Sequence, residues 1–213
     1  MVPGEPFGAS PDSQDDGREA DVTHDPTDIR QDTRQDEWLV IRCQLGERDA
    51  FDALVARWHG PLWTYARRLT GSDQAAHDVV QDVWIRVLRG IARLRDGARL
   101  RAWLFGITRR TLMDRLRAQY AEPAGDEVDP DTLATEGLDA ADDAGRDEAS
   151  LLAELARLPV VEREVLTLFY LREFSLAEVA ALLEIPVGTV KSRLHRARRM
   201  LRRDVASADR NPS

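Results

Sequence analysis

The amino-acid sequence predicts an all-α protein, with two small helical domains joined by a flexible acidic linker. Apolar residues recur at alternating steps of three and four through residues 38–118 and again through 176–201, the spacing that places them on one face of a helix. No convincing run alternates with the period of two that a half-buried strand requires. Residues that start and stop helices stand at the ends of these runs: Gly46, the pair Gly71-Ser72, Ser175 with Glu178, and Pro186.

Taken in order, residues 1–37 are rich in Asp, Gly, Pro, Ser, Thr and Gln with hardly a bulky apolar side chain. Such a segment cannot bury enough surface to offset its chain entropy, and a disordered acidic tail is expected. Trp38, Leu39, Ile41 and Leu45 begin the first helix, which Gly46 ends. Phe51, Leu54, Val55, Trp58, Leu62, Tyr65, Ala66 and Leu69 mark a second helix from Asp49 to Leu69, with a kink or break expected at Gly60-Pro61. Ser72 or Asp73 can cap the third. Along it Val79, Val80, Val83, Trp84, Val87 and Leu88 fall on one face, and Asp78, Gln81, Asp82 and Arg86 fall away from it. Beyond Gly90 and Gly97, a helix from Arg99 to Ala118 is expected to bury Leu100, Trp103, Leu104, Ile107, Leu112 and Leu116. These elements make a first domain over residues 38–119. Residues 120–149, acidic and broken by Pro123 and Pro130, read as the linker.

A second domain covers residues 150–206, followed by a short tail at 207–213. Ser175 and Glu178 have capping-box spacing, in which the serine accepts an orphan N–H and the glutamate reaches back to the cap. Leu176, Val179, Ala180 and Leu183 follow on one face. The stretch Ile185-Pro186-Val187-Gly188 interrupts that helix, because proline disfavours helix before it and suits the first turn of a new one. Val187, Val190, Leu194, Ala197 and Leu201 then form a second stripe. Two helices joined by a tight turn, the second studded with arginine, outline a helix-turn-helix.

Charge separates the chain into blocks. The formal net charge is −8 over 213 residues, yet residues 38–118 carry +7 and residues 151–213 carry +3, against −8 for residues 1–37 and −10 for residues 119–150. Basic, apolar-rich blocks set among acidic segments point to a nucleic-acid partner. Cys43 is the single cysteine, so no internal disulfide can form. A reducing, cytoplasmic location is the expectation. His24, His59, His77 and His195 have no ligand-like spacing, and no metal or other cofactor is implied. No apolar run reaches membrane-spanning length, and the acidic N-terminus has no apolar core of a secretory leader. No nucleophile, base or metal set stands at workable spacing, so no catalytic residue is assigned and no small-molecule substrate is expected.

Two helices carry the nucleic-acid chemistry. From Lys191 to Arg203 there is no acidic residue, so ion pairs along the helix cannot account for Lys191, Arg193, Arg196, Arg198, Arg199, Arg202 and Arg203. Such side chains neutralise phosphates, and arginine also reads guanine edges with its fork. In the earlier helix, Arg99, Arg101, Arg109, Arg110, Arg115 and Arg117 have Asp114 as their one counter-charge. Interleaved arginine and an aromatic suit a single strand, whose bases stack while cations follow its backbone. Trp103 also falls on the apolar stripe, where plain core packing remains open.

With these residues in view, the chain resembles the extracytoplasmic-function (group four) branch of the sigma-70 family, the specificity subunits of bacterial RNA polymerase. Gly46 to Phe51, with Leu54 and Val55, resembles the start of their region two. Asp78-Val79-Val80-Gln81-Asp82-Val83-Trp84 is similar to their polymerase-binding helix. Trp103-Leu104 with Ile107, Arg109, Asp114 and Arg117 is similar to their promoter-melting helix. Leu158-Pro159, Arg163 and Leu176 to Arg198 resemble region four. The four matches, in order, span nearly all of residues 38–205.

The resemblance implies two domains, a region two bundle and a region four helix-turn-helix, with no catalysis of their own. It implies that Asp78, Gln81 and Asp82 meet the clamp helices of core RNA polymerase, with the polymerase flap as a further contact, while Val83 and Trp84 hold that helix in its own domain. Trp103, Arg109, Arg110 and Arg117 would face the minus-ten promoter element, where one base is captured outside the stack. Arg110 stands where family members often have asparagine, so the location carries over and the base preference does not. Lys191, Ser192, Arg193, His195, Arg196 and Arg199 would enter the major groove at the minus-thirty-five element, Arg196 first as a guanine contact. The implied role is transcription initiation at a stress or envelope regulon, under an anti-sigma factor and without membrane insertion. A rival reading is a stand-alone helix-turn-helix regulator, which would bind a palindromic operator as a dimer without polymerase.

Overall fold

The computed structural model describes residues 26–120 and 153–208. Every regular element among them is helical, so the chain is all-α. Helix α1 spans Pro26–Gln44, α2 Arg48–Thr70, α3 Asp73–Gly90 and α4 Leu100–Tyr120, with short 3₁₀ turns at Ile91–Arg93 and Gly97–Arg99 before α4. Residues 153–157 are helical. Helix α5 spans Val160–Leu166 and runs into a π-helical turn at Thr167–Leu171. Helices α6, Leu176–Leu183, and α7, Val187–Ala208, complete the chain. The linker expected at 120–149 lies outside the described residues from 121 on.

Four sequence-based expectations are corrected. Residues 26–37, assigned to the tail, are helical. The cause is tertiary: Arg57 on α2 donates to Asp32 and Asp36, each at 2.8 Å, and to Gln35 at 3.1 Å, while the Trp58 indole also donates to Asp36. Pro26 suits a first helical turn, because its missing N–H is one that a helix start leaves unpaired anyway. Helix α2 is not broken at Gly60-Pro61. The ring removes one backbone donor, and the Thr64 hydroxyl donates to the Gly60 carbonyl at 2.9 Å. Leu88 does not share the buried face of α3 but is 61% exposed, and Trp38, Ile41 and Leu45 of α1 and Val187 of α7 are also exposed. The second-domain helix reaches Ala208, so 207 and 208 are helical as well.

The caps lie where the residue types predict. Gly46 and Gly71 take positive φ at the ends of α1 and α2, where a side chain would be strained. Ser72 caps α3 by accepting from the Ala75 N–H, and Ser175 with Glu178 forms the complete capping box on α6. Helix α3 packs between α2 and α4, and α1 packs on α2 and the Gly97–Arg99 turn. Leu54, Leu62, Val80, Val83, Leu100, Leu104 and Leu112 fill that core. In the second unit α5 and α6 both pack on α7, over Val165, Val179, Leu183, Val190, Leu194 and Ala197.

The two units also touch each other. Helix α5 lies against α2, and α6 against α4. Phe105 of α4 meets Tyr65 and Phe174 edge-on, each at 5.2 Å between centroids. The buried Arg163 guanidinium donates to the carbonyls of Ala156, Leu158 and, across the junction, Arg68. Burial lowers its pKa to about 10, which leaves it charged at neutral pH.

Candidate polymerase and nucleic-acid interface

Ser72 fixes the start of α3, and Val79, Val80, Val83 and Val87 turn inward from it. That leaves Asp78, Gln81 and Asp82 on its outer side, Gln81 exposed and both carboxylates half-buried. Neither carboxylate is isolated. Arg115 of α4 donates to Asp82 from Nη2 at 2.6 Å and from Nε at 3.1 Å, and its Nη1 lies 3.5 Å from Asp78. Gln74 donates to Asp78 at 3.2 Å, and Arg86 pairs with Asp114. The expected polymerase-facing side of α3 is thus stapled to α4. Trp84 packs edge-on against Phe51, and its indole N–H donates to His59. Gln81 borders an open apolar groove formed with Phe51, Trp84, Ile85 and Leu88.

Helix α4 divides its candidate residues between two faces. Trp103, Arg110 and Arg117 stand seven apart, so each lies only about 20° from the last around the axis. Arg110 and Arg117 are exposed and Trp103 is half-buried. The Trp103 ring lies over Gly90, where an added Cβ would sit 3.0 Å from it. Core packing and an accessible ring are therefore both true of Trp103. Arg109 points elsewhere: its Nε donates to Glu164 Oε1 of α5 at 3.2 Å, and the side chain is 24% exposed.

Glu164 itself is 2% exposed and also accepts from the Tyr65 hydroxyl at 2.7 Å. Burial raises its carboxyl above the usual range, more than Arg109 and Tyr65 bring it down. Burial and the adjacent carboxylate also hold the Tyr65 phenol well above its ordinary value, so it stays a donor.

On α7, Val190, Leu194 and Ala197 face inward and Lys191, Ser192, His195, Arg196 and Arg199 face outward. Arg193 is half-buried. The Ser192 hydroxyl donates to the Thr189 carbonyl in the first turn. Arg196 is 58% exposed, with Nη1 donating to the buried Glu162 of α5 at 3.0 Å. One edge of its fork is held and the rest stays outward. The structure therefore brings together five α7 residues on one outward surface, sets Arg193 partly inward, and separates Arg109 from Arg110 and Arg117.

Sequence reasoning placed Tyr65 only on an apolar stripe, counted Arg115 among the nucleic-acid arginines rather than as a partner of Asp82, and missed Glu162 and Glu164. The last two had a signal, since Glu162-Arg163-Glu164 interrupts the apolar run Val160-Val161 to Val165-Leu166. Charged side chains inside a helix that short and apolar must find partners when buried. Among the described residues, no three metal-binding side chains come together and no helix is long and apolar enough to cross a membrane.

Residues 54–122 match the family sigma-70 region 2, and residues 148–201 match sigma-70, region 4. The chain is 31% identical over 179 residues to the ECF RNA polymerase sigma factor SigW of Bacillus subtilis, covering 78% of this chain and 94% of that one. It is 32% identical over 175 residues to the ECF RNA polymerase sigma-E factor of Escherichia coli, with 76% and 90% covered. Among solved structures it is similar to CnrH in complex with the cytosolic domain of CnrY, at a TM-score of 0.60 and 26% identity over 81% of this chain and 98% of that one. The sigma factor RpoE in complex with the anti-sigma factor NepR from Bartonella quintana also matches at a TM-score of 0.60 and 26% identity, over 72% and 94%. With both modules present in order on one helical chain, this protein belongs to the extracytoplasmic-function branch of the sigma-70 family of RNA polymerase sigma factors.

Proposed function

We propose that the chain directs core RNA polymerase to promoters carrying a minus-thirty-five and a minus-ten element and assists melting of the second. The observation that carries this reading is the division of labour over two modules. An acidic outer side of α3 lies next to a basic, aromatic-bearing face of α4, and a separate helix-turn-helix presents Lys191, Ser192, His195, Arg196 and Arg199. Asp78, Gln81 and Asp82 dock on the clamp helices, and polymerase then supplies the spacing and the effective concentration of the second module. Trp103, Arg110 and Arg117 receive the unpaired strand, joined by Arg109 once it leaves Glu164. Arg193 contributes from the edge of the α7 surface. The partners are core polymerase, including its flap, promoter DNA and an anti-sigma factor, and the site of action is wherever polymerase and chromosome are. Support for the last partner is that two structural neighbours were solved with such regulators or with a partner's cytosolic domain bound.

Run-off transcription with core polymerase, followed by start-site mapping, is the test. The expected result is transcripts only when this chain is added, from promoters sharing two separated elements. Tight operator binding by a dimer without polymerase would instead establish the stand-alone regulator.

A further inference from the structure

The cations that α7 turns outward for DNA differ in freedom. Lys191 and Arg199 are exposed and make no ion pair among the described residues, whereas Arg196 is tied to Glu162. Glu162 stands in the first turn of α5, which packs on α7, and its carboxylate is 4% exposed. Its Oε1 accepts from Arg196 Nη1 at 3.0 Å, and no other ion pair reaches it among the described residues. A carboxylate this buried is costly unless it is paired. An apolar side chain at 162 would have continued the run from Val160-Val161 to Val165-Leu166, so packing gives no reason for a charge there.

The bond decides which edge of the guanidinium is offered. Nη1 is engaged, and neither Nε nor Nη2 has a protein partner among the described residues. Those two atoms carry parallel N–H donors along one side of the planar group, which match the O6 and N7 acceptors of guanine in the major groove. The carboxylate also offsets the charge of Arg196. That weakens attraction to phosphate, which acts through charge, and leaves the direction of the donors intact. Lys191 and Arg199 keep both their charge and their rotamer freedom, which suits contacts that fix register on the backbone and carry no sequence information.

We propose that Glu162 is a positioning residue for promoter recognition. It orients Arg196 so that the Nε–Nη2 edge reads one guanine at the upstream element, and it thereby divides the α7 surface into a base reader and two phosphate contacts, Lys191 and Arg199. This rests on the functional reading above for the presence of DNA on α7.

The test is run-off transcription by the full chain with core polymerase, on a promoter located by start-site mapping and on its single-base variants through the upstream element. Arg196→Ala should erase the preference at one base pair, a guanine, which identifies the position. There Glu162→Ala is expected to cut the ratio of matched to mismatched transcription about tenfold. Transcription from the mismatched promoter should hold or rise, because the charge of the released guanidinium is no longer offset. Glu162→Gln keeps a carbonyl acceptor for Nη1 and should hold the ratio within about threefold of wild type. Lys191→Ala and Arg199→Ala should lower transcription from all variants alike and reduce its salt dependence by about one counterion each. A ratio unchanged in Glu162→Ala overturns the proposal, and so does an Arg196→Ala protein that keeps every base preference. A parallel fall on matched and mismatched promoters in Glu162→Ala, tracking its melting temperature, also overturns it, since that marks a side chain needed only for folding. Wild-type protein that supports no transcription defeats the sigma reading and this proposal with it, whereas wild-type discrimination that survives in Glu162→Ala defeats the positioning role alone.

Discussion

Arg196 shows what a single residue can be expected to carry. Glu162 holds one edge of its fork and leaves the side chain more than half exposed. That arrangement restricts rotamers before DNA arrives, which lowers the entropy cost of a base contact. Arg196→Ala is expected to lower transcription from a matched promoter by the equivalent of about 1–3 kcal/mol at one base pair, and also to lower the melting temperature, because the buried Glu162 loses its donor. Arg196→Lys should fail nearly as badly, because a point charge cannot form the bidentate contact. Promoter variants at each upstream position, transcribed by both proteins, measure this; a uniform loss across all variants would make Arg196 a phosphate contact. The outward position of this residue was legible from spacing alone. Its partner was not, because Glu162 lies 34 residues away and no local pattern links the two.

At the scale of elements, the staple between α3 and α4 joins the two expected surfaces. Asp78 and Asp82 share Arg115, all three side chains being 42% exposed. Solvent screening keeps such pairs to about 1 kcal/mol or less. Asp82→Ala should therefore cost little stability yet weaken core polymerase binding, and a titration of fluorescent protein with core enzyme checks it. Loss of binding that tracks unfolding would remove the docking role. By contrast, Ser175→Ala breaks the capping box and is expected to cost about 1 kcal/mol, lowering the melting midpoint by about 2–4 °C. Calorimetry on the full chain reads it directly. Helix periods and caps were the legible part of this scale, since each depends on residues within one turn. The start of α1 at Pro26 was not legible, because it depends on Arg57 gathering Asp32, Gln35 and Asp36 from another helix. The continuity of α2 through Pro61 was likewise set by packing on both sides, with Leu62 and Trp58 buried.

Over the whole molecule, the block pattern of charge announced two basic modules, whereas their docking had no sequence signal beyond charged residues in an apolar helix. The same contact predicts a pH dependence. Glu164 faces Tyr65, Arg109 and, at longer range, Arg193. Burial and the adjacent carboxylate keep the phenol protonated, so the carboxyl is the group whose protonation changes with pH. Its pKa is raised from 4.5 in the docked state, burial being the largest cause, and returns to the ordinary value when the modules part. The docked state thus binds the proton more tightly than the open one. Docking is favoured most below the ordinary carboxylate range and weakens as pH rises through the raised value, tenfold for each unit between the two pKa values. With the chain cleaved at a protease site inserted between residues 125 and 145, association of the halves, measured from pH 4.5 to 8, should fall with rising pH in wild type. In Glu164→Gln, which keeps an acceptor but cannot ionise, the same curve should flatten. A wild-type curve that rises with pH would mean that the pairing with Arg109 outweighs burial, and that the charged form of Glu164 is what holds the modules together.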